Sequence, residues 1–179
     1  SFRFWGGSNL EAAAGELGCK VRDYKDTAVM GLTDVVAKLG QISSNLRLCK
    51  RDIIEFGPDV VILIDYPGFN MKIARFCHLN SIKVFYYIAP KTWASREGRN
   101  RKLKEYVDRL FIIFPFEIPY FTKVGIPFVY KGNPLVDAVD KHSYSRPVEG
   151  PYTAFLPGSR KGEISRMMPL LMQVADSIG

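Results

Sequence analysis

A run of five apolar, mostly β-branched residues at 60–64 (VVILI) constrains the fold of this chain more than any other feature. The run follows a Gly-Pro-Asp turn and is too short for a typical helix. It therefore predicts a strand covered on both faces, as in parallel sheets. Asp65 follows directly, and Tyr66-Pro67-Gly68 predicts a turn. An acidic side chain is thus expected at the carboxyl end of a strand, the edge where open α/β sheets bind ligands. The alternative is that Asp65 only caps the turn or the next helix.

Strand and helix patterns alternate along the rest of the chain. Apolar runs predict strands at 1–7, 20–24, 60–64, 83–88, 107–114, 128–130 and 152–156, and helical spacing predicts helices at 9–17, 29–56, 70–79, 97–106, 118–123 and 163–178. Repeated βα units predict a Rossmann-like parallel sheet flanked by helices and joined by right-handed crossovers.

A polar segment with Pro147 and Gly150 marks a domain boundary. We expect residues 1–140 to form an N-terminal domain and residues 141–150 to form a linker. Residues 151–179 would then supply the first strand and helix of a second domain, because one strand and one helix cannot bury a core alone.

The composition narrows the function classes. A formal net charge of +7 and a pI near 9.3 favour an anionic partner, which could be a phosphate-bearing ligand, an anionic membrane surface or nucleic acid. The aromatic residues lie mainly in apolar strands and are not interleaved with cations, so we expect no nucleic-acid partner. Three scattered cysteines and two histidines predict reduced thiols and no metal site.

Five loop sequences point to a family. VILIDYPGFN, APKTWASR, FPFE, GNPLVD and LPGSRKGEI occur in this order and spacing, and they resemble the lipid-A-disaccharide synthase family. The resemblance runs over almost the whole chain. It implies a peripheral-membrane glycosyltransferase with the two-domain GT-B fold.

The resemblance also implies a reaction. Members transfer 2,3-diacylglucosamine, with inversion, from UDP-2,3-diacylglucosamine to 2,3-diacylglucosamine 1-phosphate (lipid X). The products are UDP and the disaccharide 1-phosphate of lipid A, a part of lipopolysaccharide. No metal or other cofactor is implied. The expected location is the cytoplasmic side of the inner membrane, on its anionic surface, and a homodimer is compatible with the resemblance.

Several residues of this chain match the family motifs. Asp65 is the candidate general base, since a carboxylate at the strand end can take the proton of the acceptor's 6-hydroxyl. The resemblance places Gly158, Ser159 and Arg160 at the nucleotide-sugar site, where a cation and helix N-terminal amides stabilise the leaving UDP.

The acceptor site is assigned by the same resemblance. It comprises Asn70, Trp93 and Arg96, with a helix N-cap as the alternative for Asn70. Lys91 is added as a cation that could meet the acceptor phosphate, at a position where the family more often has a small residue. Asn133 stands where many members have histidine, which weakens any claim that a ring is essential there.

The membrane-facing residues follow from the resemblance as well. They are Val35, Val36 and Leu39 on an apolar helix, and Arg101 and Lys102 on a basic helix. The alternatives are a helix that only covers the sheet and a basic face that is only solvated.

The same resemblance makes residues 1–140 the acceptor-side domain, with its first strand before Ser1. It makes residues 151–179 the start of the nucleotide-sugar domain, most of which would follow Gly179. We therefore expect the 179 residues alone to lack transferase activity. The alternatives are another GT-B UDP-sugar transferase or an epimerase and, from a different class, a non-catalytic nucleotide- or nucleic-acid-binding module.

Overall fold

The computed structural model describes residues 2–6, 18–22, 35–94, 98–145 and 148–178, and for 18–22 and 35–39 it describes the backbone alone. The chain divides into two compact units, Ser1–Asp140 and Lys141–Gly179. The assignment of these parts to an acceptor-side domain, a linker and the start of a nucleotide-sugar domain stays a prediction.

The described residues form six strands and six helices. The strands are β1 (Phe2–Trp5), β2 (Gly18–Arg22), β3 (Val60–Ile64), β4 (Lys83–Tyr87), β5 (Arg109–Ile112) and β6 (Phe128–Tyr130). The helices are α1 (Val35–Phe56), α2 (Pro67–Leu79), α3 (Arg99–Tyr106), α4 (Glu117–Lys123), α5 (Pro134–Asp140) and α6 (Lys161–Ile178). The predicted helix at 9–17 lies outside the described residues.

All strand pairs among the described residues are parallel. β1 pairs with β2, and a second sheet has the order β3-β4-β5-β6, with Ile64 opposite Tyr87 and Tyr87 opposite Phe111. Each strand of the larger sheet is joined to the next through a helix, because neighbouring parallel strands need a crossover. The predicted parallel α/β fold is confirmed.

The core lies on one face of the larger sheet. Alternate strand residues such as Leu63, Val84 and Leu110 point to it, and α1 to α4 cover it with side chains that include Ile73 and Phe121. Ile73 and Phe121 are almost fully buried, and each such burial contributes about 1.5–3 kcal/mol. This packing fixes where the carboxyl ends of the strands lie.

The other face of β3 is open among the described residues. Ile62 and Ile64 are 57% and 53% exposed, whereas Leu63 is buried. The expected burial of this strand on both faces is therefore wrong for the part of the chain that the structure describes. The reason is that β3 pairs only with β4 there, and the described core gathers on the Leu63 face.

One predicted boundary and two predicted elements were also wrong. α2 begins at Pro67 rather than at residue 70, because proline suits the first position of a helix. The segment 132–137, expected to be a loop, contributes to α5. The expected strand at 152–156 is not formed among the described residues, because it has no neighbouring strand to pair with.

Candidate functional site at the carboxyl edge of the sheet

Three loops meet at the carboxyl edge of the larger sheet. They follow β3, β4 and β5, which are adjacent and parallel. Among the described residues, four non-glycine residues have positive φ, and three of them lie in these loops: Asp65, Tyr66 and Ile88. Such backbone is costly and persists where surrounding contacts enforce it, which occurs often at functional sites.

Asp65 sits in a turn that is held from two sides. Its φ is +47°, and its N–H donates to the Tyr87 carbonyl at 2.9 Å, which extends the β3-β4 ladder. Its carbonyl accepts hydrogen bonds from the Asn70 amide at 2.8 Å and from the Tyr86 hydroxyl at 2.7 Å. Asp65 is an exposed residue. The backbone below the candidate base is therefore fixed, while the residue remains accessible to solvent.

Tyr86 is fully buried beneath this turn. Burial, together with the charge of nearby Asp65, raises the pKa of Tyr86 above its usual range. The hydroxyl therefore keeps its proton at neutral pH and can donate to the Asp65 carbonyl. Tyr86 could not be singled out from the sequence, because its place in an apolar strand does not indicate which group its hydroxyl contacts.

Asn70 does not cap α2. The N-cap is Tyr66, and Asn70 lies within the first turn, from which its amide reaches back to the carbonyls of Asp65 and Ile64. The N-cap alternative for Asn70 is thus wrong. Its hydrogen bonds go to backbone at the strand end, so the side chain stabilises the turn that carries Asp65.

The loop after β4 has a buried base and an exposed tip. Ala89, Pro90 and Thr92 are buried, whereas Lys91 is exposed and Trp93 is 37% exposed. This arrangement presents a cation and an aromatic ring at the same sheet edge as Asp65. Arg96, the remaining acceptor-site prediction, lies outside the described residues.

A buried carboxylate joins this loop to the next one. Glu117, at the start of α4, is 2% exposed and accepts hydrogen bonds from Trp93 and from the backbone after β5. Sequence reasoning noted FPFE only as a motif and gave Glu117 no role. Its position at the first turn of a helix after a strand end was the signal that could have drawn attention to it.

An open cavity of about 450 Å³ lies beside these loops. Residues from the ends of β4, β5 and β6 line it, among them Tyr87, Phe114 and Lys131. Asn133 also lines the cavity, and its side-chain oxygen accepts the Leu135 N–H at 3.0 Å. This bond satisfies a free amide at the start of α5, so Asn133 has a capping function.

The second unit places the three predicted nucleotide-site residues around one carboxylate. Glu163 accepts the backbone N–H groups of Ser159 and Arg160 at 3.3 Å each, and the Arg160 guanidinium donates to it at 2.7 Å. These hydrogen bonds, chiefly those from Arg160, lower the pKa of Glu163. Gly158 has φ +98°, and a Cβ there would lie 2.7 Å from the Glu163 carboxylate. The donors expected to face UDP thus hold a carboxylate of the chain itself.

The predicted membrane-facing residues lie on two helices of the first unit. Arg101 and Lys102 are exposed on α3, which buries Leu103 on its opposite side. Val35, Val36 and Leu39 lie in the first turns of α1, where only the backbone is described. Within the described residues, no helix is both long and apolar enough to cross a bilayer, and no three acidic, histidine or cysteine side chains gather as metal ligands.

The parallel sheet and the polar loops at its carboxyl edge define an α/β domain of the class that binds ligands beyond the strand ends. The comparison with family models then identifies the group. The chain belongs to the lipid-A-disaccharide synthetase family, whose model matches residues 5–179.

Curated relatives give the same result. A lipid-A-disaccharide synthase of Syntrophus aciditrophicus (strain SB) is 40% identical over 183 residues, which are 97% of this chain and 47% of the relative. One of Geobacter metallireducens is 40% identical over 98% of this chain and 47% of its own length. Lipid-A-disaccharide synthase 1 of Legionella pneumophila (strain Paris) is 36% identical over 95% and 46%. The chain therefore spans about half the length of the curated relatives it matches.

Proposed function

We propose that the complete protein, meaning the product of the whole reading frame that encodes this chain, is a lipid-A-disaccharide synthase. It transfers 2,3-diacylglucosamine from UDP-2,3-diacylglucosamine to the 6-hydroxyl of 2,3-diacylglucosamine 1-phosphate. The observation that carries this proposal is the family match over residues 5–179. The fixed turn at Asp65 supports it, because the turn presents a carboxylate at the ligand-binding edge of the sheet.

In the proposed reaction, Asp65 accepts the proton of the acceptor's 6-hydroxyl. The hydroxyl oxygen forms a bond to the anomeric carbon of the donor, and the bond from that carbon to the UDP oxygen breaks. The electron pair leaves on the diphosphate, and the configuration inverts. A positioned general base contributes about a hundredfold to ten-thousandfold in rate. Asn70 and Tyr86 support Asp65 through its backbone carbonyl.

The acceptor binds against the loop after β4 in this proposal. Lys91 is exposed and can pair with the acceptor phosphate, and Trp93 offers part of its ring to the sugar. Arg96 contributes a second cation. This loop follows β4, and Asp65 follows the adjacent strand β3. One acceptor molecule can therefore contact both.

The UDP leaving group binds to Gly158, Ser159 and Arg160. The backbone amides of Ser159 and Arg160 and the Arg160 guanidinium already hold an anion, the Glu163 carboxylate. A diphosphate that uses the same donors displaces this carboxylate and takes over its hydrogen bonds. Helix N-terminal amides and a cation are suited to stabilising the charge that develops on the leaving oxygen.

The substrates carry acyl chains, so the enzyme works at a membrane surface. Arg101 and Lys102 on α3 supply exposed positive charge for the anionic cytoplasmic side of the inner membrane. Val35, Val36 and Leu39 supply apolar contacts with the acyl region. Peripheral association and a homodimeric assembly complete the proposal.

The test compares two aspartates that flank one strand. Asp59 and Asp65 are both exposed and lie at opposite ends of β3. In the complete protein, we expect Asp65→Asn to lower kcat with radiolabelled lipid X at least a hundredfold at unchanged melting temperature. Asp59→Asn should stay within twofold of the wild type. Near-normal turnover of folded Asp65→Asn would assign the base to another residue, and a wild type that transfers no sugar would refute the proposed function.

A further inference from the structure

Glu117 is a buried carboxylate without a role in the proposed reaction. Its Oε2 accepts the backbone N–H groups of Ile113 and Phe114 at 3.2 and 3.0 Å, and its own N–H donates to the Phe114 carbonyl at 3.1 Å. Burying a carboxylate is costly unless hydrogen bonds satisfy it, so these contacts are needed to keep it there. They also close the loop after β5 onto the start of α4.

The second oxygen of Glu117 reaches a different loop. Oε1 accepts the indole N–H of Trp93 at 3.2 Å, across 24 residues of sequence. The Trp93 ring also packs edge-on against Phe116, with centroids 4.9 Å apart. One polar and one aromatic contact thus fix the orientation of a ring that remains 37% exposed.

We infer that Glu117 is a positioning residue for the acceptor site, which sets the orientation of the Trp93 ring from beneath. This inference rests on the proposed function, in which Trp93 contacts the acceptor sugar. Glu117 is buried and acts through Trp93, so it makes no contact with substrate itself.

The chemistry requires a carboxylate at this position. A carboxylate accepts hydrogen bonds through both oxygens. Here one oxygen accepts them from two backbone N–H groups and the other accepts one from the indole N–H. Glutamine keeps the length but has only one acceptor, and its NH₂ group would face an N–H donor. The single glutamine oxygen is expected to keep the two backbone N–H groups, because they outnumber the one indole N–H, so Glu117→Gln releases the Trp93 contact.

The test uses the complete protein with two readouts. The first is the indole Nε1–H signal of Trp93 in a ¹⁵N-tryptophan spectrum, identified as the signal that Trp93→Phe removes. The second is steady-state kinetics with each substrate varied in turn. Glu105→Gln serves as the matched control, because Glu105 is an exposed glutamate on α3.

We expect Glu117→Gln to shift the Trp93 signal, to raise the KM for lipid X at least fivefold and to change kcat and the donor KM less than twofold. Trp93→Phe should raise the same KM. The double variant should resemble either single variant, because each substitution removes the same hydrogen bond between Trp93 and Glu117. Glu105→Gln should change none of these.

Several outcomes would overturn the inference. An unshifted Trp93 signal shows that Glu117 does not hold the ring. Additive effects in the double variant, or equal losses with both substrates, show a structural role alone. If Glu117→Gln does not fold, Trp93→Phe decides, since an unchanged acceptor KM there removes the acceptor role. A wild type without transferase activity refutes the proposed function and the acceptor role with it. An active wild type with an unchanged acceptor KM in Glu117→Gln refutes only this inference.

Discussion

The amide of Asn70 closes the turn that carries Asp65. It donates to the Asp65 carbonyl at 2.8 Å and to the Ile64 carbonyl at 3.0 Å, from the first turn of the helix that follows. The helix thereby holds the end of the preceding strand while Tyr86 holds it from the neighbouring strand. Two independent contacts on one carbonyl explain how two consecutive non-glycine residues keep a left-handed backbone.

We expect Asn70→Ala to lower both stability and turnover. It removes two hydrogen bonds to strand-end carbonyls, at a cost of about 1–3 kcal/mol in the free energy of unfolding. Asn80 is a matched control, because it lies at the other end of α2 and its amide also donates to a backbone carbonyl, that of Phe76, at 2.8 Å. Urea unfolding and kcat of the complete protein are the measurements. Asn80→Ala should cost stability but leave kcat unchanged, and equal kcat losses in both variants would contradict a role specific to the Asp65 turn.

Gly158→Ala should damage the start of α6 and weaken UDP binding. Its Cβ would lie 2.7 Å from the Glu163 carboxylate, in a backbone conformation that alanine rarely adopts. Gly162→Ala is the control, since a Cβ there meets no atom within 4 Å, and alanine stabilises a helix by up to about 1 kcal/mol relative to glycine. Amide hydrogen exchange at 161–166 and calorimetric titration with UDP measure the two effects. Unchanged UDP affinity in Gly158→Ala would remove this turn from the nucleotide site.

Cys49 and Cys77, both buried, should be inert at neutral pH. Burial, the main cause in both cases, raises the pKa of Cys49 to about 12 and that of Cys77 to about 11, from an ordinary value of 9.0. The neutral thiol predominates, so N-ethylmaleimide at pH 7.5 should label them only after unfolding, as mass spectrometry of the two peptides would show. Rapid labelling of the native protein would contradict their burial.

The same thiols predict a loss of stability in base. Above pH 9 the unfolded thiols release protons that the folded ones retain, so the free energy of unfolding should fall as pH rises towards 11. The contribution is complete below pH 9 and is lost as pH passes the folded pKa values. Cys49→Ala should reduce the slope by up to about 1.4 kcal/mol per pH unit in urea unfolding curves. An unchanged slope would show that other groups cause the decline.

The basic helix α3 should contribute to membrane binding. Arg101 and Lys102 are exposed, so replacing both with glutamine should not change the melting temperature. Each charge near an anionic surface contributes about 1 kcal/mol, which predicts up to about thirtyfold weaker binding to vesicles that contain phosphatidylglycerol. Lys72 and Lys123, exposed on other helices, provide a control with the same loss of charge. Equal weakening by both pairs would indicate net charge rather than this helix.

The position of Asp65 could be predicted from the sequence, but its surroundings could not. The apolar run at 60–64 predicts β3, and Asp65 follows its last residue as expected. The hydrogen bond from Tyr86, in contrast, joins residues 21 positions apart and depends on the β3-β4 register. No local pattern encodes that register. The burial of β3 was overestimated for the same reason, since burial depends on neighbouring elements that the strand's own sequence does not specify.

The loops beside Asp65 show the same difference between what could be predicted from the sequence and what could not. The loop that carries Lys91 and Trp93 was predicted, because these residues stand between the predicted strand at 83–88 and the predicted helix at 97–106. The link from Trp93 to Glu117 was not predicted, since it forms only when two loops meet at one sheet edge. Asn70 was expected to bind the acceptor or to cap a helix, whereas its partners in the structure, the Ile64 and Asp65 carbonyls, depend on a left-handed backbone at residues 65 and 66.

The alternation of strands and helices, the family, and the loops that carry polar residues could all be predicted from the amino-acid sequence. These follow from local periodicity and from motifs that are continuous in the chain. The folded chain was needed to see that Tyr86 and Asn70 share the Asp65 carbonyl, that Glu117 holds Trp93, and which face of β3 is buried. These contacts join residues separated along the chain, and their geometry is set by packing and strand register, which no short stretch of sequence specifies.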